Sequence, residues 1–343
     1  MPLPSKLTIS VIIPVHNGGV SFRRCLTSLT EALPSASEII VVADGDTDDS
    51  WRVAKEFGAK VLRLPTCGGP ARARNLGAQA ARGEILFFVD ADVAICRDTI
   101  ENVAIAFTRE PNLAALIGSY DDAPAAPNFL SQYKNLFHHY THQTACEDAS
   151  TFWGACGAIR REVFLSMGGF DERYRKPCVE DIELGYRLKR EGYRIRLCKE
   201  LQVKHLKRWE AISLLRAEIF YRALPWTELI LRDRQFVNDL NLKLSTRLCV
   251  ILTFGLVSAL LAALWWPGFL AVAGIVSLCL LALNAPVYRF FLDKRGFWFA
   301  LGVIPWHWLY FLYSGLSFLV GTANYSIRQW NSPTTSLSVA FRK

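Results

Sequence analysis

Apolar and polar positions in the first hundred residues alternate between short, continuous apolar runs and stretches with helical spacing. The runs predict strands at 7–14, 38–42, 59–64 and 84–89, and the helical spacing predicts helices at 22–33, 48–57 and 71–81. Short buried strands separated by helices indicate a largely parallel sheet that is covered on both faces. We therefore expect an α/β fold whose ligands gather at the carboxyl ends of the strands.

The pattern changes after Arg247, because residues 248–285 contain no charged side chain. Apolar segments at 248–266, 269–288 and 297–320 are each about long enough to cross a bilayer, although Pro305 and His307 indicate a kink or a re-entrant turn in the third. Segment 206–247 mixes arginines with apolar residues, which favours interfacial helices; the alternative is that they pack on the soluble part. The predicted organisation is a soluble domain at 1–205, interfacial helices at 206–247, a transmembrane region at 248–321 and a tail at 322–343.

The composition supports a membrane-bound protein. The 343 residues are 51% hydrophobic, which is more than one soluble core requires. The net charge is +8, and its basic residues flank the apolar segments, so an anionic membrane surface is expected rather than nucleic acid. The nine cysteines have no metal-site spacing, and we predict that they are reduced. Residues 1–6 are polar and lead straight into a strand, so we expect the first domain to stay in the cytoplasm. Together with the apolar segments, this predicts a multi-pass protein of the cell membrane.

Polar clusters follow three of the predicted strands. They are His16-Asn17, Asp44-Gly45-Asp46 and Asp90-Ala91-Asp92. Two carboxylates that leave a strand end together suit a hard divalent cation that bridges the phosphates of a nucleotide. A solvated turn is the alternative for an isolated pair. Asp44 ends a strand that faces the expected pocket, so we predict that it contacts a nucleotide.

Motifs at 10–17, 41–48, 69–77, 88–92, 168–172 and 180–184 stand in the order of a known family. The chain resembles the family 2 glycosyltransferases, whose catalytic domain has the Rossmann-like nucleotide-diphospho-sugar transferase fold of the GT-A type. One departure is Ala43, which stands where the family usually has the first of two adjacent aspartates, and Asp44 matches the second. The resemblance implies inverting transfer from a UDP- or GDP-type nucleotide-diphospho sugar with Mg²⁺ or Mn²⁺ as cofactor.

The resemblance also implies roles in binding the donor. The residues beside the nucleoside would be Pro14, His16 and Asn17, with Asp44 near the base. Arg74 would approach the phosphates, whereas Arg72 is interpreted as part of a solvated helix face. The expected metal ligands are Asp92, Asp90 in support and His205 as a further candidate.

A second carboxylate centre lies at Glu180-Asp181. Acidic residues in the first turn of a helix are common because the helix dipole favours them, and that remains an alternative for this pair. The resemblance implies that Asp181 is the general base, which takes a proton from the acceptor hydroxyl. Glu180, Trp153 and Gly154 would line the acceptor and sugar pocket; Trp153 could equally belong to the core.

A lipid or polyprenyl-linked acceptor is expected, because the membrane segments hold the active site where such acceptors concentrate. Two other functions remain open. Arg208-Trp209 resembles the end of the Gln-x-x-Arg-Trp motif of processive polysaccharide synthases, although His205 stands in place of the glutamine. A non-catalytic, nucleotide-binding membrane scaffold is the third hypothesis.

Overall fold

The computed structural model describes residues 7–234 and 242–331, in which eight strands form one sheet. The strands are β1 (Ile9–Val15), β2 (Glu38–Asp44), β3 (Lys60–Leu64), β4 (Ile85–Val89), β5 (Val93–Ile95), β6 (Leu113–Tyr120), β7 (Cys156–Arg160) and β8 (Arg194–His205). Their order across the sheet is β3-β2-β1-β4-β7-β6-β8-β5. All four predicted strands are present, with ends shifted by one or two residues.

The sheet is mixed but largely parallel, as predicted, since β6 and β8 also form a parallel pair in its second half. Strands β3, β2, β1 and β4 are parallel, whereas β7 runs antiparallel to both β4 and β6. A short apolar run has the same pattern in either direction, so the sequence could not indicate that β7 is antiparallel. The turn between β4 and β5 is too short for the crossover that a parallel neighbour requires, and β5 instead pairs antiparallel with β8.

Helices cover both faces of the sheet, as predicted. They are α1 (Gly19–Thr30), α2 (Ser50–Glu56), α3 (Pro70–Ala80), α4 (Thr99–Arg109), α5 (Phe129–Gln143), α6 (Arg161–Ser166) and α7 (Glu180–Arg190). Because side chains alternate along a strand, Val11 and Ile13 of β1 join the core under α1 and α4, while Ile12 joins the core under α3 and α7. Both cores end below the edge where β1, β2 and β4 terminate.

The predicted interfacial segment is helical and packs on the domain. It comprises α8 (Ala211–Arg216), a π-helical segment (Ala217–Ala223) and α9 (Leu224–Asp233). The indole nitrogen of Trp226 donates to the hydroxyl of Tyr186 at 3.0 Å, and Leu229 and Ile230 are buried beside it. Ile212 and Phe220 are exposed on the outer side. The alternative that segment 206–247 packs on the soluble domain therefore holds for the face of these helices that carries Trp226, Leu229 and Ile230. Residues 235–241 of the segment lie outside the described residues.

Four further helices form the C-terminal region. They are α10 (Leu244–Ala262), α11 (Phe269–Leu283), α12 (Ala285–Arg295) and α13 (Phe297–Asn331). Both α10 and α13 are long and apolar enough to cross a membrane, and α11 with α12 forms a pair bent by 64° that could be a third span. The helix ends differ from the prediction. The first helix stops before the exposed Trp265, the second breaks at Asn284, and α13 continues through residues assigned to the tail.

Helix α13 contacts the N-terminal α/β domain along much of its length. Its beginning shares an apolar cluster with α5. In its middle, the Tyr313 hydroxyl donates to Glu218 in the π-helical segment at 3.3 Å. Near its end, Arg328 and Glu228 of α9 form an ion pair at 3.2 Å. The third predicted span therefore includes a helix that lies against the domain, and the number of helices that cross a bilayer stays a prediction.

Candidate active site

The carboxyl ends of β1 and β2 bring two predicted polar clusters together. The Nδ1 atom of His16 lies 2.7 Å from the carbonyl oxygen of Asp44, and Asn17 Oδ1 accepts the backbone N–H of Thr47 at 2.7 Å. Asn17 has a φ of 54°, in the left-handed region that asparagine tolerates better than most residues. Both polar side chains are exposed at the sheet edge, while Pro14 is half-buried within β1. The two loops form one accessible rim.

The Asp44 carboxylate organises the loop that precedes α3. It is 3% exposed and accepts the backbone N–H groups of Gly68 and Gly69 at 2.7 and 2.8 Å. Gly69 has a φ of 96°, and a Cβ there would lie 2.5 Å from the Arg175 carbonyl oxygen, so only glycine fits. The structure thus gives Asp44 a definite role in holding the loop. Its contact with a nucleotide base stays a prediction.

Arg74 lies at the centre of a buried carboxylate cluster. Its two amino groups donate to Asp90 Oδ1 at 2.7 Å and to Glu180 Oε1 at 2.8 Å. Burial opposes the charge, but the carboxylates of Asp90, Glu180 and Asp181 raise the pKa of Arg74. Both amino groups are therefore engaged by carboxylates, and Arg74 joins the end of β4 to the start of α7. Its predicted contact with phosphates stays a prediction.

The Asp181 carboxylate lies beside this cluster at the start of α7. Its oxygens accept the backbone N–H of Gly154 at 3.1 Å and that of Ile182 at 2.8 Å. Burial, and after it the charge of Glu180, raise the pKa of Asp181 to about 7. A carboxylate with such a pKa can accept a proton near neutral pH and is a much better base than an ordinary aspartate. The geometry gives the predicted base a pKa suited to proton transfer.

The structure brings His205 to Asp92, although the two residues are far apart in the sequence. Strand β5 pairs with β8 so that Val93 is opposite His205, and the His205 Nε2 atom lies 3.9 Å from Asp92 Oδ2. The Lys207 ammonium lies 4.0 Å from the same oxygen. Burial, and after it the charge of Lys207, lower the pKa of His205 to about 3. The imidazole is then neutral at neutral pH and keeps a lone pair for a ligand.

The chemical types of these side chains suit a divalent cation. Carboxylate oxygens of Asp90 and Asp92 with one neutral imidazole match the preferences of Mn²⁺ and, less closely, of Mg²⁺. Within residues 7–234 and 242–331, no group of three or more His, Cys, Asp or Glu side chains is arranged to hold a metal ion by itself. An ion held here would need other oxygen ligands, which nucleotide phosphates supply in many enzymes.

Aromatic and histidine side chains surround Trp153, and three of them were not among the site residues predicted from the sequence. Its ring centroid lies 4.8 Å from those of Tyr120 and His138 and 5.2 Å from that of His142. The Tyr120 ring in turn stacks on His205 at 4.3 Å. Trp153 is half-buried and packs against the core, and its place in a sugar pocket stays a prediction. The i, i+4 spacing of His138 and His142 could have indicated that they share a helix face.

Comparison with known proteins points to one family. Residues 10–168 match the family model described as Glycosyl transferase family 2. Over 205 residues the chain is 27% identical to a probable glycosyltransferase, YdaM, of Bacillus subtilis, covering 55% of this chain and 48% of that protein. Over 231 residues it is 29% identical to the pre-mycofactocin glycosyltransferase of Mycobacterium tuberculosis, covering 64% of this chain and 47% of the relative. The chain thus spans about half the length of the curated relatives it matches.

Solved structures agree on the fold. The mannosyltransferase PcManGT from Pyrobaculum calidifontis, in complex with GDP-Man and Mn²⁺, superposes with a TM-score of 0.54 at 16% identity, covering 96% of this chain and 89% of that one. Residues 1–349 of S. aureus TarS, in complex with UDP-GlcNAc, superpose with a TM-score of 0.50 at 22% identity, covering 65% of each chain. At these identities the likeness establishes the GT-A-like fold alone.

Proposed function

The chain belongs to glycosyl transferase family 2 through residues 10–168, and on that premise we propose that it is an inverting transferase that acts at a membrane surface. Its donor is a UDP- or GDP-type nucleotide-diphospho sugar, and its acceptor is a hydroxyl group of a lipid-linked molecule. The observation that carries the proposal is the pKa of Asp181, raised to about 7 beside the Arg74 carboxylate cluster. The nucleotide-sugar complexes of the two fold relatives support the donor class.

Asp181 performs the proton transfer. Its carboxylate accepts the proton of the acceptor hydroxyl as the hydroxyl oxygen bonds to the anomeric carbon, and the bond from that carbon to the diphosphate breaks. The nucleoside diphosphate leaves with its bonding electron pair. Attack from the side opposite the leaving group inverts the anomeric configuration, and no covalent intermediate with the enzyme is needed. Gly154 keeps the carboxylate oriented through its backbone N–H.

Asp92, Asp90 and His205 are the residues that would hold a divalent cation. When bound, such a cation neutralises negative charge that develops on a departing diphosphate. Arg74 keeps Asp90 in place for this role through the 2.7 Å contact between its Nη2 atom and Asp90 Oδ1. The Mn²⁺ in the PcManGT complex supports a metal requirement.

We expect wild-type protein, purified at full length in detergent, to release nucleotide from one of a panel of UDP and GDP sugars when Mn²⁺ or Mg²⁺ is present. Addition of a lipid extract should increase the rate, since the acceptor is proposed to be lipid-linked. Chelation by EDTA should stop the release, and Asp92→Asn should weaken metal-dependent donor binding about tenfold or more, the scale seen when the surroundings of a metal site are altered. Nucleotide release and donor binding are measured on the same preparation.

The matched control is Asp98→Asn, which removes an equivalent charge from an exposed aspartate six residues further along. It should bind and cleave the donor like the wild type. Full activity in EDTA would contradict the metal requirement. Binding of the nucleotide without turnover in any lipid extract would favour the non-catalytic scaffold.

The α13 contacts support a specific membrane arrangement. We infer that α10 and α11 enter the bilayer as a hairpin with Trp265 and Trp266 at its exposed turn, while α13 lies along the surface against the domain. The C-terminus would then lie on the cytoplasmic side with the catalytic domain. Three complete spans would put it on the opposite side.

This arrangement predicts how a C-terminal tag behaves in right-side-out spheroplasts. A protease added outside should leave the tag intact, and it should remove the tag only after the membrane is permeabilised. A tag inserted after Trp266 is the matched comparison. The proposed hairpin would bring its turn to the outer side of the bilayer, so the protease should remove this tag from intact spheroplasts. Removal of the C-terminal tag in intact spheroplasts would instead support three spans.

A further inference from the structure

A cavity of about 550 Å³ lies between the catalytic domain and the apolar helices. The π-helical segment and α9 form one wall, and α10 and α13 form the other. Its lining includes Val250, Phe254 and Phe318 together with Trp226. This volume falls within the usual range for small-molecule sites. The cavity is separate from the strand-end edge where the proposed donor site lies.

The apolar part of the cavity continues into the surface that would meet lipid. Ile251 of α10 and Leu319 of α13 line the cavity and are 67% and 58% exposed. Both belong to helices that are apolar enough to cross a membrane. Exposed apolar side chains at the rim of a cavity are costly in water but not in a bilayer. A hydrocarbon chain could therefore enter the cavity sideways from the membrane.

Charged side chains also line the cavity, and its two arginines, Arg222 and Arg247, outnumber its one carboxylate, Glu218. Glu218 accepts a hydrogen bond from the Lys134 ammonium at 2.6 Å and one from the Tyr313 hydroxyl at 3.3 Å. The Arg222 guanidinium is farther from Glu218, at 3.9 Å. Two cations thus face one carboxylate. Arg222, the more loosely held of the two cations, is suited to bind an anionic group that enters with a chain.

Two of the residues that line the cavity also border the histidines that pack on Trp153. A small space next to the cavity is lined by Arg222 and Glu218 on one side and by His138 and His142 on the other. Both histidines pack on Trp153, and the next residue, Gly154, donates its backbone N–H to Asp181. The small space is only about 20 Å³, so the rings of His138, His142 and Trp153 separate the cavity from Asp181.

The geometry points to this cavity as the binding site for the lipid part of the acceptor, a phosphate-linked saccharide on one long hydrocarbon chain. The chain occupies the apolar part, and the Arg222 guanidinium, which faces the cavity, binds the phosphate. This inference rests on the proposed function and deepens it. It identifies the class of lipid by an apolar lining with exposed apolar side chains at its rim and by the cation within that lining.

The test measures binding of farnesyl phosphate to the full-length, detergent-purified protein by native mass spectrometry, with farnesol and inorganic phosphate as comparison probes. Wild-type protein should bind one molecule of farnesyl phosphate. Its affinity for farnesol and for inorganic phosphate should be at least about tenfold lower, since each probe lacks either the phosphate or the hydrocarbon chain. Arg222→Met removes the cation, and Ser314→Phe fills the cavity from α13. Each should weaken farnesyl phosphate binding about tenfold or more, on the scale of one charge-assisted hydrogen bond or one blocked chain.

The matched control is Leu316→Phe, which adds an aromatic ring two residues along α13 at an exposed position outside the cavity lining. It should bind farnesyl phosphate like the wild type. Equal binding by all variants, or equal binding of farnesol, would overturn the assignment. Nucleotide release on the same preparations separates the two hypotheses. If the protein cleaves a donor but Ser314→Phe binds lipid as the wild type does, the cavity assignment alone is refuted. If the protein binds farnesyl phosphate but neither binds nor cleaves any donor, the proposed function alone is refuted.

Discussion

Replacing Asp181 by asparagine is expected to lower kcat by about 10²–10⁴-fold, the usual contribution of a general base, while leaving donor binding unchanged. Asparagine has nearly the same shape and can still accept the Gly154 N–H, but it cannot take a proton from the acceptor. Donor affinity should persist because the predicted donor contacts, at the ends of β1, β2 and β4 and at Arg74, do not include Asp181. The measurements are kcat from nucleotide release and donor affinity by calorimetry.

The pH dependence gives this prediction a second readout. Since burial and Glu180 raise the pKa of Asp181 to about 7, the base is mostly protonated at pH 6 and mostly ionised at pH 8. The wild-type rate should therefore rise as pH increases through about 7. The residual rate of Asp181→Asn should lose this dependence. A wild-type limb near pH 4 would mean that the pKa of the base is not raised, and a limb near pH 7 that persists in Asp181→Asn would mean that Asp181 is not the base.

The control for Asp181→Asn is Glu191→Gln, which removes a carboxylate from the exposed far end of the same helix. It changes the net charge equally and should keep the wild-type rate and pH profile. A comparable loss in both variants would indicate that charge on α7, rather than proton transfer, is responsible.

Arg74→Met is expected to destabilise the protein by about 3–5 kcal/mol, the typical result of removing one partner from a buried ion pair. Arg74 is 5% exposed, and without it the carboxylates of Asp90, Glu180 and Asp181 face one another without a cation. Methionine fills a similar volume, so the lost charge rather than a cavity dominates. At roughly 2–4 °C per kcal/mol for a domain of this size, the melting temperature should fall by on the order of 10 °C.

Arg72→Met provides a matched control on the same helix. Arg72 is exposed, as its interpretation as a solvated residue predicted, and its replacement should shift the melting temperature by little. Arg74→Met with Glu180→Gln should recover part of the loss, because one unpaired buried charge is removed. Equal melting temperatures for Arg74→Met and Arg72→Met would show that the cluster tolerates its carboxylates without the arginine.

The pH profile of Arg74→Met links the two predictions. The charge of Arg74 lowers the pKa of Asp181, against the larger effects of burial and Glu180. Without Arg74 the limb of the rate profile should move above pH 7 in whatever protein remains folded. Such a shift would identify Arg74 as a positioning residue, whereas a purely structural role would leave the limb in place.

The arrangement of the apolar C-terminal helices was predictable only in part. The charge-free segment after Arg247 and its basic flanks indicate apolar helices, and the structure contains them. The contacts of α13 with α5, the π-helical segment and α9 were not predictable, because an apolar helix that packs on a domain has the same composition as one that faces lipid. For that reason, α13 was predicted from the sequence as a third span, whereas its contacts in the structure support a helix on the membrane surface.

By itself, the sequence determined the alternation of strands and helices and the polar residues at the ends of β1, β2 and β4, because these depend on local apolar runs and the residues that end them. Only the tertiary structure decided the partners of those residues. Arg74 and Glu180 are 106 positions apart, and His205 reaches Asp92 only because β8 pairs with β5. The order of strands in a sheet results from the packing of the whole chain. The raised pKa of Asp181 and the cavity beside α13 follow from that packing.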